Sequence, residues 1–146
     1  MNLHRTTHLI LTALPRAIHR RGFGVQSPWA YELVRDVFFE PLPYYAYQEQ
    51  GLRTPQQQQL FRIRNHFGAE AVTVIDETGS AAVNHYADAI RQATPHSILV
   101  IEHIADDNAL LWAQAVHDPH TTVTFDLGRR GIVTFDPKRI KQNYLL

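Results

Sequence analysis

The sequence predicts a single α/β domain. Its sheet has about four strands, a parallel pair followed by a C-terminal antiparallel hairpin, with helices packed on it and a helical arm in front. Three observations carry this. Strand-like and helix-like stretches alternate between residues 71 and 117, the order that yields parallel strands joined by right-handed crossovers. Two more strand-like runs, 121–127 and 131–135, are joined by Gly128-Arg129-Arg130, which reads as a hairpin turn. Leu, Ile, Val and Phe make up 41 of the 146 residues, about 28%, above the roughly 20% below which chains tend to stay disordered. A chain of this length buries around two thirds of its surface without disulfide staples.

The arm and an aromatic segment occupy residues 1–55, the core 56–146. The first 31 residues contain no acid. Leu3, Ile10, Leu14, Ala17 and Ile18 recur at helical spacing beside Arg5, Arg16, Arg20 and Arg21, which reads as a basic amphipathic helix. A secretory leader is not expected: the apolar stretch from Leu9 to Leu14 is short, and Pro15-Arg16 stands where a small-residue cleavage site would come. Ser27 before Pro28 is an N-cap with proline at the first helical position, so a helix is expected over 28–39, ended by Pro41 and Pro43. It should bury Trp29 or Tyr31 with Leu33, Val37 and Phe38. Tyr44, Tyr45 and Tyr47 open the next segment; such a cluster can stack bases, but more often packs in a core or interface.

A helix opens near Gln56 and runs through Leu60, Phe61, Ile63 and Phe67 to Gly68. Then come a strand over 71–76, a helix over 81–93, a strand over 97–102 and a helix over 106–117 carrying Leu110, Leu111 and Trp112. After the hairpin, residues 143–146 either add an edge strand or dock.

Composition excludes several classes. With no cysteine there is no disulfide framework, zinc finger, iron–sulfur site or Cys nucleophile. No apolar run reaches the ~18 residues of a membrane span, and the reading is of a cytoplasmic protein. The zero net charge conceals a pattern. Residues 1–64 carry eight Lys/Arg against four acids, residues 65–128 one against nine, and residues 129–146 five against one. Basic ends therefore enclose an acidic middle, a pattern that more often marks solvated faces than a partner site.

In open α/β sheets ligands bind beyond the carboxyl ends of the strands. Two strands here end in polar groups: Asp76 and Glu77, followed by Thr78-Gly79-Ser80, and Glu102 with His103, with Asp106 and Asp107 close behind. If the strands are neighbours, these carboxylates and an imidazole form a candidate pocket able to hold a cation or move protons; the plainer reading is a set of helix caps. One glycine, two acids and no lysine exclude a phosphate loop in that turn. His4 with His8, and His117 with His120, lack an adjacent third ligand, so no metal site is assigned. No Ser lies in a Gly-x-Ser-x-Gly elbow, and no catalytic residue is assigned.

Several of these residues recur together elsewhere. Gly22-Phe-Gly-Val-Gln-Ser-Pro-Trp, followed by Pro43-Tyr-Tyr-Ala-Tyr and Leu52-Arg53, resembles the N-terminal region of a family of bacterial class I S-adenosylmethionine-dependent methyltransferases. That family reads His-Gly-Ile/Val-His-Ser-Pro-Phe and then Pro-Tyr-Tyr-Ala-Tyr. Leu60-Phe61-Arg62 to Phe67 is similar to the helix before its first strand, Ser97-Ile-Leu-Val-Ile-Glu-His-Ile to its penultimate parallel strand, and the runs from His117 and Gly131 to its closing hairpin.

The resemblance implies a reduced Rossmann-like methyltransferase sheet. Members are considerably longer, with a first strand ending in a Glu-x-Gly turn and a second whose acid holds the cofactor ribose. Here Val72 to Ser80 stands in for either the first or the fourth strand, better for the fourth, because Val74-Ile75-Asp76 is similar to the family's Phe-Ile-Asp. Either way the cofactor-binding half is missing. The family's Asp-Asp is Glu102-His103, and its His-Trp is Ala105-Asp106. The implied function is that of a non-catalytic relative, a pseudoenzyme without cofactor, working through protein contact as a homodimer or with a full-length relative. The alternative is a shortened S-adenosylmethionine site around Asp76, Glu102 and His103. A third reading, nucleic-acid binding through the basic arm and Arg129-Arg130, is the least favoured, and no membrane contact is expected.

Overall fold

The computed structural model describes residues 25–146. The basic helix expected at the N-terminus, with His4, His8 and Gly22, lies outside them. The chain divides into two compact units, the first comprising residues to His66 with Leu146, the second Phe67–Leu145. Among the described residues no helix is long and apolar enough to cross a membrane.

In the first unit, α1 (Pro28–Glu32) starts as expected: Ser27 Oγ accepts from the Ala30 amide at 3.4 Å, with proline at the first turn. The expected single α-helix to residue 39 does not form. From Leu33 to Phe38 the chain widens into a π-helix, its Phe39 amide donating to the Val34 carbonyl at 3.1 Å. A widened turn turns carbonyls out of the helical ladder, and those of Val37 and Phe38 accept from the Arg62 guanidinium at 2.6 and 2.9 Å. The Gln59 amide adds a second donor to Phe38 at 3.0 Å. Leu33, Val34, Val37 and Phe38 are buried, while Trp29 and Tyr31 are half-buried.

The tyrosines form α2 (Tyr45–Glu49). Tyr47 is buried edge-on against Tyr44 and Phe61, with ring centroids 5.3 and 5.7 Å away, and its hydroxyl accepts from Arg62 at 3.0 Å. Tyr45 stays exposed. Helix α3 (Pro55–Phe67) follows, capped by the Thr54 hydroxyl and buried at Ile63.

The second unit is a five-stranded mixed sheet, β1 (Val72–Ile75), β2 (Ile98–Glu102), β3 (Val123–Asp126), β4 (Arg130–Thr134) and β5 (Gln142–Leu145), in the order β1-β2-β4-β3-β5. The expected parallel pair is β1 with β2, and the expected hairpin is β3 with β4. The strand count is a correction: β5 adds a fifth strand, parallel to β3. So is the placing of the hairpin. Its second strand inserts antiparallel to β2, so β4 lies mid-sheet and all five of its residues are buried. Helices α4 (Gly79–Gln92) and α5 (Ala109–His117) cover one face. There Ala82, Tyr86, Leu111 and Trp112 pack with Ile75, Leu99, Ile101 and Val133. Gly131 makes this approach possible, because the Trp112 ring occupies the space a side chain there would need. Val100, Phe125 and Ile132 are fully buried as well; their register sets them on the opposite side of the sheet from Leu99 and Val133.

Candidate functional site

Parallel pairing of Ile75 with Ile101 brings the carboxyl ends of β1 and β2 level. Asp76, Glu77, Glu102 and His103 therefore do fall at one end of the sheet, where α/β folds bind ligands. Beyond the strands their side chains diverge.

Asp76 and His103 meet, His103 Nε2 lying 3.3 Å from Asp76 Oδ1, with both side chains well exposed. His103 has φ 61°, the left-handed region that few non-glycine residues enter. The turn it makes is closed by the Asn108 and Asp106 amides, which donate to its carbonyl at 2.9 and 3.3 Å.

Glu77 turns away toward α4, where His85 Nδ1 lies 3.0 Å from its carboxylate. That hydrogen bond, with a backbone hydrogen bond at Glu77 itself, holds the Glu77 carboxyl below the usual carboxylate range. Glu102 turns across the sheet to its register partner, Arg130. The guanidinium grips it through two nitrogens, Nε to Oε1 and Nη2 to Oε2 at 3.2 Å, in a setting where the Arg130 side chain is only 7% exposed. Such two-point charge-assisted pairs are strong and fix geometry. Arg130, which the least favoured, nucleic-acid reading paired with Arg129, is buried.

Three residues that reading the sequence missed govern this end of the sheet. Asn108 is buried, and its side-chain amide donates to the carbonyls of Glu77 and Glu102, both at 2.9 Å, latching the β1 and β2 ends together. An Asn just before a helix is expected to cap it; here no side-chain cap forms. The other two are His85 and Arg130, the partners of Glu77 and Glu102. No local signal marks either, since they lie 8 and 28 residues from the acids they bind.

Elsewhere the histidine pair at 117–120 separates in role: His120 Nδ1 and its amide both bond Asp118 Oδ1 at 2.9 Å. Among the described residues no group of three or more His, Asp or Glu could hold a metal ion. In the first unit, a cleft of about 620 Å³ is lined by Tyr44, Tyr45, Tyr47, Arg53 and Gln58 among others.

The residues present do not suit an S-adenosylmethionine site at the strand ends. Two of the four candidate side chains are committed to His85 and Arg130, and the turn after Asp76 holds a single glycine. No family model, no curated protein and no solved structure matches the chain.

Proposed function

We propose that this chain is a non-catalytic, methyltransferase-like cytoplasmic protein that works by contact with another polypeptide, a second copy or a full-length relative. The observation that carries the reading is the end of the sheet at β1. That strand bonds to β2 on one side; on the other, among the described residues, the Val72 amide at its start donates to the Ala69 carbonyl and no further strand pairs with it. Val72, Thr73 and Val74 are only half-buried. An edge of this kind is a ready template for another strand. The commitment of Glu77 and Glu102 to internal partners supports the non-catalytic half of the reading.

The second reading, a shortened S-adenosylmethionine site around Asp76, Glu102 and His103, has the approach of His103 to Asp76 on its side and the commitment of Glu102 to Arg130 against it. Calorimetric titration with millimolar S-adenosylmethionine separates the two. No heat and no shift in melting temperature are expected; saturable heat with a raised melting temperature would replace the first reading by the second.

A further inference from the structure

We infer that the β1 edge accepts an extended segment flanked by Lys or Arg, and not the β1 strand of a second copy. The inference rests on the protein-contact reading and names its partner's chemistry. All four residues of β1, Val72-Thr73-Val74-Ile75, are β-branched, the class that pairs best in a pleated sheet. In a parallel-paired strand alternate residues turn both main-chain groups to the same side, so half of β1 faces away from β2, less the Val72 amide, which donates to the Ala69 carbonyl.

The charges around this edge define what can use them. Glu70 precedes the strand and Asp76 and Glu77 follow it, all three exposed, the last two beside the His103 and His85 imidazoles at 3.3 and 3.0 Å. Two-fold antiparallel pairing of β1 with itself would set Val72 opposite Ile75 and Thr73 opposite Val74. It would also bring Glu70 opposite Glu77 and place Asp76 beside the same acidic flank. Like charges directly opposed destabilise a strand pair. A second copy's β5 is no better suited. Its basic residues Lys138, Arg139 and Lys141 lie on one flank only, and Lys141 already donates to the Asp118 and Thr121 carbonyls. Acids at both ends of β1 fit a segment with basic residues at both ends, in either direction of pairing. Residues 65–128, which contain this edge, carry one basic group against nine acids, so the wider field favours the same partner.

The test uses the full chain and three fluorescein-labelled synthetic peptides sharing a Val-Thr-Val-Val centre: one flanked by Lys and Arg, one flanked by Glu, and one Lys/Arg-flanked with proline in the centre. Fluorescence anisotropy measures binding, and amide hydrogen exchange by NMR locates it. The basic-flanked peptide is expected to bind roughly tenfold or more tighter than the other two, to weaken as salt rises past ~0.1 M, and to slow exchange in β1. The variant Glu70→Gln/Asp76→Asn/Glu77→Gln should lose the preference while exchange in β2 and β4 stays unchanged. Equal binding of the Glu-flanked peptide, or protection away from β1, overturns the inference and leaves the protein-contact reading standing. So does concentration-dependent protection of β1 without peptide, the sign of self-pairing. If no peptide binds and the protein stays monomeric by light scattering, with β1 amides exchanging freely, both are overturned.

Discussion

At one edge of the sheet β5 is held by side-chain hydrogen bonds within the strand, whereas at the other, among the described residues, such bonds fasten β1 only past its end, at Asp76 and Glu77. Lys141, just before β5, donates to the Asp118 and Thr121 carbonyls at 2.6 and 3.0 Å and to the Thr121 hydroxyl at 3.1 Å. Within the strand, Asn143 accepts from the Thr124 hydroxyl at 2.9 Å and Tyr144 stacks on Phe125 with centroids 5.4 Å apart. Among the described residues no side-chain hydrogen bond reaches Val72–Ile75 itself; Asn108 holds the chain just beyond it, at the Glu77 carbonyl. The contrast runs opposite to composition: both strands end the sheet, yet the polar Gln-Asn-Tyr-Leu strand is the one whose own residues are bonded by side chains, and the β-branched Val-Thr-Val-Ile strand is not. Fastening by side chains stabilises an edge that main-chain pairing alone would leave to fray. An edge that no strand among the described residues covers, yet is flanked by acids, is suited to a selected partner.

Three substitutions sharpen or break this comparison. The largest effect is expected from Glu102→Ala, which removes the two-point carboxylate partner of the buried Arg130 guanidinium between β2 and β4. It should cost about 3 kcal/mol in urea unfolding, in the range for breaking one side of a buried pair, and should loosen both edges together. Loosening of β1 alone would mean that the sheet does not transmit stability across its centre.

Asp118→Ala should cost about 2 kcal/mol, because it leaves the buried Tyr86 hydroxyl on α4 without its 2.7 Å acceptor, while the Asp118 carbonyl that holds Lys141 beside β5 stays in place. Burial tends to raise the Asp118 pKa, but the His120 amide and the Tyr86 and His120 side chains outweigh it, so its carboxyl sits below the ordinary range. Burial, and then the bond to Asp118, push the Tyr86 phenol upward. For a carboxylate with a depressed folded value, the stabilisation is present above the unfolded value, about 3.9. It is lost as pH falls through the lower folded one. The gap between wild type and Asp118→Ala should therefore be constant near neutrality and narrow only in acid. A gap that instead widened as pH fell would contradict this assignment.

Lys141→Met is expected to be the smallest of the three, about 1 kcal/mol, since its charge-assisted bonds form at a largely exposed position. Hydrogen exchange should quicken in β5 and stay as it was in β1. Equal quickening at both edges would erase the distinction drawn here.

Much of the fold was legible because its signals are local. Ser27-Pro28 announces a helix start, the runs at 71–76 and 97–102 announce strands, and Gly128 closes a hairpin at φ 97°. The position of the candidate site was legible too, since polar residues close both parallel strands. Its chemistry was not. Asp76, Glu77, Glu102 and His103 read as one cluster, yet only Asp76 and His103 meet. An acid declares its charge along the chain, while the base that neutralises it comes from α4 or from β4. The π-helical turn was invisible for the same reason: the Arg62 and Gln59 donors that take up its carbonyls lie 21 to 25 residues away.

The sequence by itself determined the α/β class, the parallel pair and the hairpin, because side-chain periodicity and turn residues act over a few positions. It also set the basic–acidic–basic distribution along the chain, with β1 in its acidic part. Only the tertiary structure decided that β4 sits mid-sheet, that residues 142–145 become a fifth strand, and that Glu102 pairs with Arg130. Those outcomes depend on which surfaces meet once the chain closes on itself. Trp112 reaches β4 because Gly131 has no side chain in its way, and β5 holds because Lys141 finds carbonyls that belong to a different part of the chain.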